Sequence, residues 1–207
     1  MDSIMHILDL IGTAVFSITG ALVAGRKRMD TFGVVILGCV TAVGGGTLRD
    51  VVLGRNPVFW VSSPHYLTIA ALAAIGTFVV AHRWRLPEMA IAYADAVGLA
   101  VFTVIGFQTS FQTTGSFGIS IIMGMTTGVV GGIIRDVLAG EIPLIFHKEI
   151  YASASLAGAA LLALSTRLQW PASLAILLSI LTSLGIRLAA LHWNLTLPVF
   201  PPKNQRP

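Results

Sequence analysis

Val43-Gly44-Gly45-Gly46-Thr47-Leu48-Arg49-Asp50-Val51 is written twice in this chain, the second time as Val129-Val130-Gly131-Gly132-Ile133-Ile134-Arg135-Asp136-Val137. The two copies stand 86 residues apart. The same spacing carries Asp9-Leu10-Ile11-Gly12 onto Asp95-Ala96-Val97-Gly98, Phe16 onto Phe102, Gly20 onto Gly106, and Gly38 onto Gly124. Gly54 and Pro57 fall on Gly140 and Pro143, while Phe32-Gly33 meets Phe117-Gly118 one residue early, a single-residue difference in a loop. The chain reads as one unit duplicated.

What surrounds the repeat is apolar. Of 207 residues, 55% are hydrophobic and 11% charged, with a mean hydropathy of +0.84. Soluble domains carry about 25% charged residues, so this chain has too little charge to clothe a water-facing surface. A soluble enzyme, a nucleic-acid binder and a disordered regulator are excluded. Cys39 is the single cysteine, so no internal disulfide forms. A membrane-spanning helix needs about 20 mostly apolar residues, and the sequence predicts seven such stretches, at 4–25, 31–53, 64–82, 88–109, 117–138, 149–166 and 171–191. None alternates apolar and polar residues as the strands of a membrane barrel do. The opening Met1-Asp2-Ser3-Ile4-Met5-His6 lacks the basic start of a signal peptide, and the segment it begins recurs later, so it is assigned to the fold.

The expected architecture is an all-α membrane protein in a single transmembrane domain, 1–207. Each repeat holds three spans, repeat one over about 5–85 and repeat two over about 88–168, with an extra helix at about 171–191 for packing or oligomer contact. An odd number of spans per repeat turns the two copies upside down relative to one another, the arrangement that puts a transport site at the repeat interface near mid-membrane. The basic residues fix the orientation: Arg26-Lys27-Arg28, Arg83, Arg85, Lys148, Lys203 and Arg206 lie on one side, against Arg55 and Arg167 on the other. Basic loops face the cytoplasm, which puts the N-terminus outside and the C-terminus inside. Topology thus accounts for the net charge of +4, and no nucleic-acid partner is expected.

The second and fifth spans carry the chemistry. Gly44, Gly45 and Gly46 sit inside the second, and Gly131 with Gly132 at the matching place in the fifth. Each helix-interior glycine costs about 0.5–1 kcal/mol relative to alanine, so the clusters are expected to kink or break their helices. A break frees carbonyls and N–H groups that a desolvating cation can use; the competing use of such glycines is close helix packing. Charges within spans are rare and usually functional. Asp9, Arg49 and Asp50 are expected near one mouth and, by inversion, Asp95, Arg135 and Asp136 near the other. Asp9 is expected to pair with Arg49 and Asp95 with Arg135, either lining a path or pinning the helices.

Other residues carry less. His82, Arg83 and Arg187 are expected to reach the headgroups, and Trp60, Trp84, Trp170 and Trp193 to form an interfacial belt. The five histidines show no metal-ligand spacing, and no phosphate loop or catalytic triad occurs, so no cofactor, transition metal or enzyme activity is expected. Ala70-x-x-x-Ala74 and Ala154-x-x-x-Gly158 have the pattern that permits helix association.

The duplicated Gly-Gly-x-x-Arg-Asp with a following Gly-x-x-Pro resembles the trimeric intracellular cation (TRIC) channels, and more closely their prokaryotic homologues. The resemblance covers about residues 5–190. It implies a homotrimer in a prokaryotic plasma (inner) membrane, in contact with lipid, each subunit carrying its own pore for K⁺ and Na⁺. It also implies that the kinked second and fifth helices line that pore, with Gly44, Gly45, Gly46, Gly131 and Gly132 at the kinks; Val130 stands where the second triplet would begin. Two functions stay open at this point. One is a passive monovalent cation channel; the other is a secondary transporter of a small zwitterion such as glycine.

Overall fold

A computed structural model of the chain describes residues 2–83, 87, 89–147 and 149–198. Trp84, Arg85, Lys148, Lys203 and Arg206, used above for orientation or the aromatic belt, lie outside the described residues. The helices are α1 (Asp2–Arg26), α2 (Thr31–Val52), the single turn α3 (Phe59–Ser62), α4 (His65–Arg83), α5 (Ala90–Thr114), α6 (Phe117–Leu138), α7 (Ala152–Arg167) and α8 (Ala172–Trp193). All seven predicted stretches are helical. Six are long and apolar enough to cross a membrane. The remaining one, α7, has 16 residues, about 24 Å at 1.5 Å per residue against a hydrocarbon core of about 30 Å. By length and composition, six of the seven expected spans meet the requirement among the described residues, and α7 is the short one.

The helices start and stop where local chemistry dictates. Asp30 caps α2 by accepting from the Gly33 N–H at 2.7 Å, and Ser116, its counterpart 86 residues on, caps α6 through the Ile119 N–H. Past the far ends, Gly54 (φ +67°) and Gly140 (φ +70°) adopt the left-handed conformation that glycine tolerates best. The bonds Gly54 N–H to Val51 O and Arg55 N–H to Asp50 O close one end; Gly140 to Val137 and Glu141 to Asp136 close the other in the same way. The matched glycines beyond the Arg-Asp dipeptides are thus helix-ending glycines.

α1, α2 and α4 pack on one another, as do α5, α6 and α7; α1 meets α5, α2 meets α6, and α8 lies against α7 and α5. Both predicted association motifs are spent inside the chain. Ala70 and Ala74 are fully buried, with the Ala70 carbonyl accepting from Ser17 Oγ at 2.5 Å. Gly158 lies so close to Ser183 on α8 that no side chain would fit.

The expected break at the glycines is corrected by the structure. α2 and α6 are helical through every residue of both clusters, so their backbone groups stay satisfied within the helix, as an apolar surrounding demands. The glycines serve close contact. A methyl on Gly45 would collide with the Thr127 carbonyl, and one on Gly131 would stand 2.6 Å from the Thr41 carbonyl. Thr127 is the counterpart of Thr41, and Gly131 of Gly45, so the contacts are reciprocal and run in opposite order along the two helices. α1 and α5 repeat the pattern: Gly12 abuts Phe102 and Gly98 abuts Phe16, with the two phenyl rings 5.1 Å apart. Small residues let the backbones approach this closely.

Gly45→Ala and Gly131→Ala are each expected to destabilise the protein by about 1–3 kcal/mol, the usual cost of overpacking, read as a lower melting temperature in detergent. Gly76→Ala, whose methyl meets nothing within 4 Å, is the control and changes little. Unchanged melting of both crossing variants contradicts the packing role.

Candidate functional site

Each Arg-Asp dipeptide builds the same local structure. Arg49 Nε donates to Asp50 Oδ1 at 2.8 Å, and Arg135 Nε donates to Asp136 Oδ1 at 2.8 Å. The second carboxylate oxygen then holds the segment that follows: Asp50 Oδ2 accepts from the Phe59 N–H at 2.8 Å, and Asp136 Oδ2 from the Leu144 N–H at 3.2 Å. Asp50 and Asp136 thus tie a connecting segment to a helix end and aim an arginine. Arg49, Asp50, Arg135 and Asp136 are all buried.

Beyond that shared frame the two clusters differ. In the second, Arg135 Nη1 donates to Asp95 Oδ1 at 2.6 Å and to Thr19 Oγ1 at 3.1 Å, which forms the expected Asp95–Arg135 pair. In the first, no ion pair joins Asp9 and Arg49 among the described residues. Arg49 spends both Nε and Nη2 on Asp50, each at 2.8 Å, and lies 5.5 Å over the Phe59 ring. Asp9, half-buried, accepts instead from the Tyr66 hydroxyl at 3.1 Å. Arg55, largely exposed, stands 4.0 Å from Asp50. Each cluster holds two carboxylates around one buried guanidinium.

Of the cluster glycines, Gly132 alone borders a charged group. A methyl there would meet Tyr151 Oη at 3.0 Å and lie 3.5 Å from Arg135 Nη2 and Asp95 Oδ1. Gly46 is covered by the Phe59 ring and Gly44 by Ile134; Gly45 and Gly131 lie at the helix crossing. Asp95 Oδ2 and Tyr151 Oη are buried with no hydrogen-bond partner among the described residues, which leaves unused polar capacity beside Gly132.

Pockets reach the two clusters from opposite ends of α1. One of about 250 Å³ is lined by Met5, His6, Asp9, Tyr66, Gln108 and Gln112 among others. The other, also about 250 Å³, is lined by residues that include Val23, Lys27, Arg135, Asp136, Glu141 and His147. Lys27 and Glu141 form an ion pair at the second pocket, and the hydrogen bond and charge of Lys27 hold the Glu141 carboxyl below its usual range. The bridge therefore persists at neutral pH and is lost as pH falls through that lowered value. Asp9 and Arg26 are 17 positions apart on α1, about 25 Å along a helix. Between them the helix buries Thr13, Phe16, Ser17 and Thr19.

Tyr66, Tyr151 and Thr19 were not singled out from the sequence. Tyr66 and Tyr151 stand 85 residues apart, so carrying the self-comparison past Pro57 with the one-residue offset already seen at Phe32 reveals them. Arg187 is corrected: rather than reaching headgroups it is buried, donating to Glu149 Oε2 at 2.6 Å and the Ile150 carbonyl at 3.1 Å, with its guanidinium 5.1 Å over the Tyr151 ring. That contact ties α8 to the second cluster. His82 and Arg83 are exposed at the end of α4. Trp170 and Trp193 are exposed, and half-buried Trp60 donates to Thr47 Oγ1 at 2.9 Å.

Fold and site together define a multi-pass, all-helical membrane protein whose matching halves each bury an arginine among carboxylates. Comparison with known proteins gives the family. The model of the glycine transporter family matches the chain twice, over residues 6–82 and 92–167, and the chain belongs to that family. The UPF0126 inner membrane protein YadS of Escherichia coli K12 is 47% identical over 199 residues, covering 95% of this chain and 96% of the relative. The crystal structure of the TRIC trimeric intracellular cation channel orthologue from Rhodobacter sphaeroides matches with a TM-score of 0.90 at 44% identity, covering 93% of this chain and all of that one. A prokaryotic TRIC channel solved in 0.5 M KCl matches with a TM-score of 0.88 at 32% identity, covering 94% and 98%. The chain has the fold of the prokaryotic TRIC channels, and these neighbours are channels, not enzymes.

Asp95→Asn is expected to destabilise the protein by about 3–5 kcal/mol, the cost of taking one partner from a buried ion pair. Asp9→Asn weakens one tyrosine hydrogen bond, worth about 0.5–1.5 kcal/mol. Thermal melting in detergent checks the difference; equal melting of the two variants contradicts the asymmetry of the clusters.

Proposed function

We propose that this chain is a passive channel for the monovalent cations K⁺ and Na⁺. It works as a homotrimer with one pore per subunit, running among α1, α2, α5 and α6 from the first pocket to the second. The observation that carries this reading is the match in fold, at 44% identity over nearly the full chain, to a trimeric cation channel, combined with two pockets lined by the cluster carboxylates Asp9 and Asp136. Each cluster sets two carboxylates against one buried guanidinium, with the exposed Arg55 an additional cation beside Asp50 in the first, and the carboxylates favour cations over anions at both ends. The arginines, held by Asp50, Asp95 and Asp136, then do not repel K⁺. Arg55 sits at the exposed rim, where water screens it.

The two halves act as inverted repeats in this reading. Reciprocal contacts in reversed order at Gly45–Thr127 and Thr41–Gly131 support it, and so does the double match of one family model. Because α2 and α6 are unbroken, selection falls to side chains rather than to carbonyls freed at a helix break. The chain resides in the plasma membrane of a prokaryote with its N-terminus outside and C-terminus cytoplasmic, on the basic-residue bias and the inner-membrane description of the E. coli relative. Carriage of glycine, with the ammonium at Asp9 or Asp95, is the alternative, and only the name of the family model speaks for it.

Purified protein in liposomes is expected to pass K⁺ without saturable uptake of radiolabelled glycine. Asp9→Asn is expected to lower K⁺ flux several-fold in 10 mM salt and much less in 1 M salt, where the screening length falls from about 30 Å to about 3 Å. Saturable glycine uptake with no K⁺ flux overturns the channel reading.

A further inference from the structure

The chain brings together two histidines that the sequence holds 59 residues apart. His6, in the second turn of α1, and His65, the first residue of α4, are both exposed, and their ring centroids stand 5.5 Å apart with planes at 73°. The rings meet edge to face. Metal–nitrogen bonds of about 2.0–2.1 Å, extended by roughly half an imidazole on each side, put two imidazoles on one tetrahedral ion about 5 Å apart between centroids. The observed separation fits.

A second observation orients one ligand. His6 Nδ1 lies 3.5 Å from the Tyr66 hydroxyl, and that hydroxyl donates to Asp9 Oδ2 at 3.1 Å. With its proton turned toward Asp9, the Tyr66 oxygen offers a lone pair to His6 Nδ1, and the tautomer of His6 that donates there is the one that leaves Nε2 bare for a metal. Metal-binding histidines carry this outer support, their second nitrogen donating toward a carboxylate directly or through an intermediary. The expectation that no histidines combine rested on sequence spacing, which cannot register a contact between the start of one helix and the start of another.

We infer that His6 and His65 form a binding site for a divalent transition-metal ion such as Zn²⁺ or Ni²⁺ at the rim of the pocket that contains Asp9 and Tyr66. Imidazole suits these ions and does not suit Mg²⁺ or Ca²⁺. No group of three or more His, Cys, Asp or Glu residues able to hold a metal occurs among the described residues, so the site has two imidazoles and water completes the shell. Metal binding stands independently of the channel reading. One consequence rests on that reading: an ion at this rim places positive charge where cations enter and lowers K⁺ flux.

Isothermal titration of full-length protein in detergent, with any affinity tag removed, tests the site directly. Zn²⁺ is expected to bind at one saturable site per chain. His6→Ala and His65→Ala each abolish it, Tyr66→Phe weakens it about tenfold through lost orientation of His6, and His192→Ala leaves it unchanged. All variants are first checked for an unaltered size-exclusion profile. Absent binding, or binding that survives both His6→Ala and His65→Ala, overturns the proposal. In liposomes, Zn²⁺ is expected to slow K⁺ flux through wild type and not through His6→Ala. If wild type passes no K⁺ at all, the channel reading fails, while the titration still decides the metal site.

Discussion

A guanidinium cannot lie inside an apolar helix bundle unless anions meet it there. Arg135 is 1% exposed, and an unpaired charge so placed costs several kcal/mol even after relaxation. Asp136, Asp95 and Thr19 answer it from three directions. They come from α6 itself, α5 and α1, so satisfying one side chain fixes three helices relative to one another. Asp136 also grips the backbone that leads to α7, and Arg187 on α8 packs over Tyr151 beside the same cluster. Much of one half of the molecule is organised around that charge. The other half repeats the frame at Arg49 and Asp50 with a looser surround, since Asp9 turns to Tyr66.

This difference bears on function. The second cluster is enclosed and strongly paired; the first opens on a polar pocket through a half-buried carboxylate. In the channel we propose, this unequal enclosure gives a permeating cation an accessible acid at one end and a structurally committed one at the other. The middle stretch of α1, with Phe16 against Phe102, separates them. In that proposal the unbroken helices leave side-chain hydroxyls and rings, rather than freed carbonyls, to meet an ion.

The fold was largely legible in the sequence because duplication records it. Residues that match at a fixed spacing turned out to hold matching structural positions, as with Asp30 and Ser116 at helix starts or Gly54 and Gly140 at helix ends. The Asp95–Arg135 pair was legible for the same reason. Its counterpart was not, because Asp9 accepts from the Tyr66 hydroxyl instead, and a spacing match between acids and arginines does not register a hydroxyl on α4. The glycine clusters were legible as special but not in their use: whether a glycine breaks a helix or admits a neighbour depends on how closely that neighbour comes, which only the Thr41 and Thr127 carbonyls reveal. The burial of Arg187 was hidden because its partner, Glu149, belongs to a connecting segment rather than to a helix.

The reversal potential of purified protein in a planar bilayer, with unequal KCl on the two sides, tests the central claim most directly, that two carboxylate-bearing clusters select cations along a path through each subunit. The expected result is unitary current reversing close to the K⁺ equilibrium potential. Current reversing near zero or toward the Cl⁻ potential, or no unitary current at all, would contradict it.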